Sequence, residues 1–214
     1  MLNIVLFGAP GCGKGSQARR ISDKYNLPII ATGDLFRYHI SSNTPIGIEA
    51  KKYINNGNLV PDEITLKIVE ERLNEEDCKN GFILDGFPRN LSQAKALDKI
   101  TKIDLFLFID VSINEIEFRA INRRICPNCN KVFSMSECYR TTCDVCKTQL
   151  IQRDDDKIEV VRNRINNYLN TCDNVIEFYK NKKLLQTVLS ADSAEKTFIE
   201  VDEIIQNYLK KKAK

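Results

Sequence analysis

The chain has 214 residues, 43% of them apolar, which is enough for one compact core with room for an insertion and excludes a peptide or a repeat array. Its 32 Lys and Arg against 29 Asp and Glu leave a net charge of +3, far from the excess of a protein that coats nucleic acid, so any basic partner surface has to be local. No stretch approaches the roughly 20 apolar residues that span a bilayer, and a glycine-rich segment starting at Gly8 leaves no room for a removable leader, so the expected address is the cytoplasm.

In chain order, Leu2 to Phe7 is a short apolar run ending in a glycine cluster, and Ala18, Ile21 and Tyr25 then recur at helical spacing, which predicts strand, loop, helix. Residues 31–60 read as helical but polar, with little sign of a strand, and form an excursion from the alternation. Pro61 before Asp62 and Glu63 predicts a helix start, because proline suits the first turn and acids suit the positive end of the dipole. Phe82–Asp85, Leu105–Val111 and Leu184–Leu189 are further short apolar runs, each followed by helical periodicity, an alternation that predicts a parallel sheet with helices on both faces. Residues 120–155 break it again, with turn formers Pro127, Asn128 and Asn130 and too little core to fold alone. Phe198, Val201, Ile205 and Tyr208 give the last helix an apolar face, and Lys210, Lys211, Lys212 and Lys214 read as a frayed, solvated tail.

The second excursion carries two C-x-x-C pairs, Cys126 with Cys129 and Cys143 with Cys146. That spacing points to a metal rather than a disulfide framework, and to reduced thiols. Four thiolates close a tetrahedron with no vacant position, so the expected ion is a structural zinc whose binding free energy becomes folding free energy. Cys138 is a spare that could compete for the metal, while Cys78 and Cys172 read as buried small apolar residues.

Gly8-Ala9-Pro10-Gly11-Cys12-Gly13-Lys14-Gly15-Ser16 fits G-x-x-x-x-G-K, with the hydroxyl one place later than the strict pattern. Glycines let backbone N–H groups of Gly11, Cys12, Gly13, Lys14, Gly15 and Ser16 turn toward a phosphate, the following helix offers its positive end, and Lys14 is a mobile cation. An ordinary glycine-rich turn would not need strand, lysine and helix together. Cys12 reads as a small tolerated side chain rather than a redox thiol.

Thr32-Gly33-Asp34-Leu35-Phe36-Arg37 follows, then Gly57-Asn58-Leu59-Val60-Pro61-Asp62-Glu63, then Leu84-Asp85-Gly86-Phe87-Pro88-Arg89 with Gln93, then Arg119 with Arg123 and Arg153 with Arg164. With these segments in this order, nearly the whole chain resembles the long-form adenylate kinases of the nucleoside monophosphate kinase group. The resemblance implies a P-loop three-layer α/β fold with a parallel five-stranded sheet, made of residues 1–30, 61–119 and 156–214. It also implies a helical AMP-binding insertion at 31–60 and a zinc-binding lid at 120–155. The implied activity is Mg2+-dependent transfer between ATP and AMP to give ADP, in a monomer that uses neither nucleic acid nor membrane.

The nucleophile of such a transfer is an oxygen that is already anionic, so no general base is needed and the difficulty is electrostatic. A single histidine, His39, reads as a surface helix residue. The resemblance implies that Lys14, Arg89, Arg123, Arg153 and Arg164 are catalytic. Arg119 packs on the ATP adenine, with Val132, Phe133 and the backbone near Ala194 completing that side. Thr32, Arg37, Asn58, Leu59, Val60, Gly86, Phe87, Pro88, Arg89, Gln93, Arg153 and Arg164 form the AMP side, where an amide such as Gln93 suits a purine edge. By the same resemblance Asp85 would hold Mg2+ through water, and Asp155 with Asp156 would orient the metal or the arginines. Two departures from the family pattern stand out: Asp154 replaces a common lysine, and Ser190-Ala191-Asp192 replaces a glycine-containing turn. Two other readings remain at this point, a sister kinase using GTP with AMP and a zinc-ribbon module that binds nucleic acid.

Overall fold

A computed structural model describes residues 1–135, 139–190 and 193–212. Cys138 and the Ala191-Asp192 part of the departing turn lie outside the described residues. Strands β1 (Leu2–Phe7), β2 (Ile29–Ala31), β3 (Gly81–Asp85), β4 (Leu105–Asp110) and a last strand at Leu185–Leu189 form one parallel sheet in the order β2, β3, β1, β4, last strand. The alternation expected from the apolar runs is therefore correct. Ile29–Ala31 is a strand that the sequence did not show: it is three residues long and stands directly before a helix, too short for a period-two pattern.

Alternate residues of β1 serve opposite faces of the sheet. Val5 and Phe7 pack with Leu84, Phe106, Leu97, Val175 and Tyr179. Ile4 and Leu6 pack instead with Ile83, Leu107, Ala18, Ile21, Val201 and Ile205. The first face is covered by α4 (Asp62–Leu73), α5 (Leu91–Ile100) and α8 (Cys172–Asn181), and the second by α1 (Lys14–Tyr25) and α9 (Ala194–Lys212). β1, β3 and β4 are thus buried on both sides, which explains their continuous apolar runs rather than alternation, while the edge strand Leu185–Leu189 is largely exposed. Cys78 and Cys172 are buried in the first of these clusters, as expected.

Two pieces stand off the sheet. In the first, α2 (Thr32–Ser41) and α3 (Pro45–Ile54) meet α4 through Phe36, Ala50, Val60 and Ile68. Gly47 is obligatory in this pair, since a Cβ there would lie 2.0 Å from the His39 carbonyl oxygen. In the second, which follows α6 (Ile113–Ile121), β5 (Arg123–Ile125) pairs antiparallel with β6 (Val132–Ser134), and Ile125 also bridges to Ile151. The last strand, Leu185–Leu189, is β7, preceded by α7 (Ile158–Leu169) and α8.

α4 begins at Asp62 with Pro61 at its cap, as the sequence predicts. The expected fraying is corrected, since α9 runs through Lys212, whose ammonium donates to the Met1 carbonyl at 2.8 Å and to Asp104 at 3.1 Å; Lys210 and Lys211 are exposed as expected, and Lys214 lies outside the described residues. A buried carboxylate at the start of β4 needs a cation, and the chain end supplies it. Among the described residues no helix is long and apolar enough to cross a membrane.

Candidate active site

β1 stops at Phe7 and α1 starts at Lys14, so the glycine-rich segment is the turn between a buried strand and a helix. Gly13 caps the helix at φ 102° with no side chain to offer, a conformation that favours glycine. The orphan N–H groups of the first helical turn are thereby left for a ligand. Lys14 folds back over the loop, donating to the carbonyls of Gly8 and Ala9, both at 2.8 Å. Cys12 is buried with its sulfur 3.5 Å from that ammonium, a small side chain filling the loop. Asp85 ends β3 beside β1, in register with Leu6, and its carboxylate faces Gly15 across the loop. Burial pushes the Asp85 carboxyl up, against the pull of Lys14.

Arg37, Arg89, Arg123, Arg153 and Arg164 all line the cleft that opens from this loop. Burial lowers Arg89 to about 10, helped by repulsion from Arg164, and its Nε donates to the Gly86 carbonyl at 2.7 Å. Arg153 is also lowered to about 10, by burial first and then by Arg37 and Arg123, and its Nε is buried without a partner. Arg123 grips Asp156, which is fully buried, through both Nε and a terminal nitrogen. Arg164 donates to the Asp155 carboxylate at 2.7 Å. In the run 154–156, Asp154 alone is strongly exposed, paired with Lys157 at 3.8 Å. His39 sits near the end of α2, 3.0 Å from the Thr44 hydroxyl, and is not part of the cleft wall.

A smaller cavity branches from the cleft, walled by Thr32, Arg37, Asn58, Leu59, Val60, Arg89, Gln93 and Arg164. Gly86 and Pro88 line the cleft beside it. Phe87 is different: its side chain is 1% exposed and packs in the sheet core, so the backbone turn, not the ring, faces the site. Gln93 is also more engaged than its sequence position suggests, because its Oε1 accepts from the Arg89 N–H and its Nε2 donates to Asp62, both at 2.7 Å. One N–H of that amide remains for a base.

At the other end the cleft is lined by Arg119, Val132, Phe133 and Ala194 together with Gly11, Cys12, Gly13, Lys14, Gly15 and Ser16. Arg119 donates to the Ser190 hydroxyl at 3.1 Å and pairs with Glu115. Two residues that the sequence did not single out tie the smaller cavity to α7. Asn163 donates to the Asn56 carbonyl and to Asn58, and Asn167 donates to the Gly57 carbonyl at 3.0 Å. Nothing in the spacing of these amides separates them from solvated helix residues.

Sγ atoms of Cys126, Cys129, Cys143 and Cys146 lie within 4.8 Å of one another. Neighbouring sulfurs are 3.3, 3.6 and 3.9 Å apart, close to the edge of about 3.8 Å that a tetrahedron with metal–sulfur bonds of roughly 2.3 Å requires. The Cys129 N–H points at the Cys126 sulfur at 3.5 Å and the Thr148 hydroxyl lies 3.3 Å from that of Cys146, the outer contacts that orient thiolate ligands.

A family model described as adenylate kinase matches residues 6–184. The chain belongs to the adenylate kinase family. It is 45% identical over 212 residues to an adenylate kinase of Clostridium perfringens, covering 95% of this chain and 98% of the relative. It is 45% identical to one of Clostridium beijerinckii, covering 96% and 99%. To an adenylate kinase of Thermodesulfovibrio yellowstonii it is 41% identical, covering 96% and 99%. Membership of the adenylate kinase family makes the chain a nucleoside monophosphate kinase, and the phosphate loop, arginine cluster and branched cleft are the parts such an enzyme needs.

Proposed function

We infer that this chain catalyses reversible transfer of the terminal phosphoryl group of ATP to AMP, giving two ADP, and so maintains the balance of adenine nucleotides. The observation that carries this reading is the convergence of Arg37, Arg89, Arg123, Arg153 and Arg164 on the mouth of the Lys14 loop. Burial and neighbouring cations lower the proton affinity of Arg89, Arg153 and Arg164, Arg153 keeps a buried unpartnered nitrogen, and such a cluster is costly without an anion in its midst.

The loop N–H groups and Lys14 would hold the donor phosphates, Lys14 exchanging its two carbonyl partners for phosphate oxygens. AMP would occupy the smaller cavity, its phosphate on Arg37 and Arg89 and its base toward Thr32 and Gln93. Arg123, Arg153 and Arg164 would then stabilise the charge spread over the transferring group, guanidinium forks matching pairs of phosphate oxygens. Asp155 and Asp156 hold Arg164 and Arg123 in place beforehand, so little reorganisation is needed at the moment of transfer. The donor base would lie between Arg119 and the chain near Ala194, against Val132 and Phe133.

Asp85 would hold, through water, the Mg2+ that accompanies the nucleotide, an ion that would supply charge neutralisation to the phosphates. Zinc is proposed on the four thiolates, where a closed site gives residues 120–155 the stability their sparse core lacks. Residues 31–60 are assigned to AMP binding and 120–155 to a lid whose closure excludes water, which would otherwise accept the phosphoryl group. The protein is proposed to act as a cytoplasmic monomer without nucleic acid or membrane partners. The Arg119, Ser190 and Ala194 end of the cleft is shaped by few base-directed groups, so a GTP donor is the second reading.

Incubating the chain with AMP, Mg2+ and either ATP or GTP decides between them. ADP formed at a far higher rate with ATP supports the reading. Turnover with GTP alone replaces the donor, and a folded, metal-loaded sample silent with both overturns the enzyme assignment.

A further inference from the structure

Gln17, in the first turn of α1, is 2% exposed, and its Nε2 donates to the carbonyl of Ala194 at 2.9 Å. A carbonyl only accepts, so the orientation of this amide is settled: nitrogen toward Ala194, oxygen the other way. That oxygen is buried without a partner. An apolar side chain of similar size would avoid the orphan acceptor, so what the amide contributes at this position is the single tie to Ala194. The tie joins the helix that carries the phosphate loop to the first residue of α9.

At the other end of the same connection, Ser190 follows β7. Its N–H donates to the Asp110 carbonyl at 3.0 Å and its hydroxyl accepts from Arg119 at 3.1 Å. The link from β7 to α9 is therefore fastened at both ends by side chains, one reaching from the phosphate-loop helix and one from α6. Both fastenings line the cleft.

We propose that Gln17 and Ser190 are positioning residues that set the distance between the phosphate loop and the donor-base end of the cleft, and through it the enzyme's affinity for its donor nucleotide. The inference rests on the donor-site reading above. A nucleoside triphosphate is held at two points, its phosphates on the loop and its base near Ala194, and these two bonds fix the separation of those points. Neither residue touches the AMP cavity.

The test is steady-state ADP formation by the metal-loaded full chain and its Gln17→Leu and Ser190→Ala variants, with ATP or GTP as donor and AMP as acceptor. Loss of one hydrogen bond is expected to raise the KM for ATP by about fivefold to tenfold. The KM for AMP should stay within twofold of the parent value. Ser190 is only partly buried, so its variant reads the proposal even if Gln17→Leu does not fold. An active parent chain whose Ser190→Ala variant keeps its KM for ATP overturns the proposal, as does a rise in both KM values together. A parent chain silent with every donor overturns the functional reading and this proposal with it.

Discussion

Between Thr32 and Ile54, α2 and α3 pack Phe36 and Ala50 against Val60 and Ile68; between Arg123 and Ile151 the buried cluster is Cys126, Cys143 and Leu150. Both pieces stand off the same sheet and both reach the same cleft. The first holds itself by apolar side chains at helical spacing. Among its described residues the second has two short strands and four converging sulfurs, so the proposed metal would supply what packing does not. The difference teaches that one insertion can be dismantled by chemistry that leaves the other intact.

The largest effect expected is therefore metal removal. Chelation, or Cys143→Ser at a fully buried ligand, should abolish the amide-exchange protection of residues 123–151 while α2 and α3 stay protected. Equal loss in both pieces would erase the distinction drawn here. The complementary experiment is Phe36→Ala, which opens a cavity in the other piece and should cost about 3–5 kcal/mol. In a melt this reads as a fall in Tm of roughly 10 °C, together with weaker AMP binding and unchanged metal content.

Acid should sharpen the contrast further, because it acts on Asp155, where the chain passes from the four-cysteine piece into α7. Burial opposes the ionisation of Asp155, but Arg164, Arg37, Arg123 and Arg153 outweigh it and hold the carboxyl below the usual range. With the folded value depressed, its contribution is complete above the ordinary carboxylate pKa of about 4 and is lost as pH falls through the folded value. Urea melts of the parent should lose stability below that pH, and Asp155→Asn should flatten the limb at the cost of stability near neutrality. Asp104 behaves alike, its carboxyl held down against burial by Tyr208, the Asn3 N–H and Lys212. The smallest effect belongs to that last contact: Lys212→Ala removes a half-exposed partner and should cost less than about 1 kcal/mol in the same melts.

Much of this was legible in the residues. The phosphate loop is local, so one strand, four glycines and Lys14 declare it, and the runs at Leu2, Phe82 and Leu105 are strands because the doubly covered middle of the sheet needs apolar residues, whereas the run at Leu184 is an edge strand with only Val188 fully buried. Ile29–Ala31 escaped because three residues carry no period. Lys212 was misread because its partner, Asp104, is distant in the chain and only tertiary structure brings them together. Asn163 and Asn167 were invisible for the same reason, since a helix amide that holds a loop carbonyl has the same spacing as one that faces water. Gln93 and Phe87 were placed in the right turn, yet what each side chain faces depends on Asp62 and on the sheet core, which no local pattern encodes.

The central claim is that cations gathered around the Lys14 loop move a phosphoryl group from ATP to AMP. Product analysis of the parent chain and Lys14→Ala, both folded by circular dichroism and both metal-loaded, tests it most directly. The account predicts two ADP for each AMP consumed by the parent, and a loss of at least about a hundredfold in the variant. Inorganic phosphate as the main product, or full activity without Lys14, would contradict it.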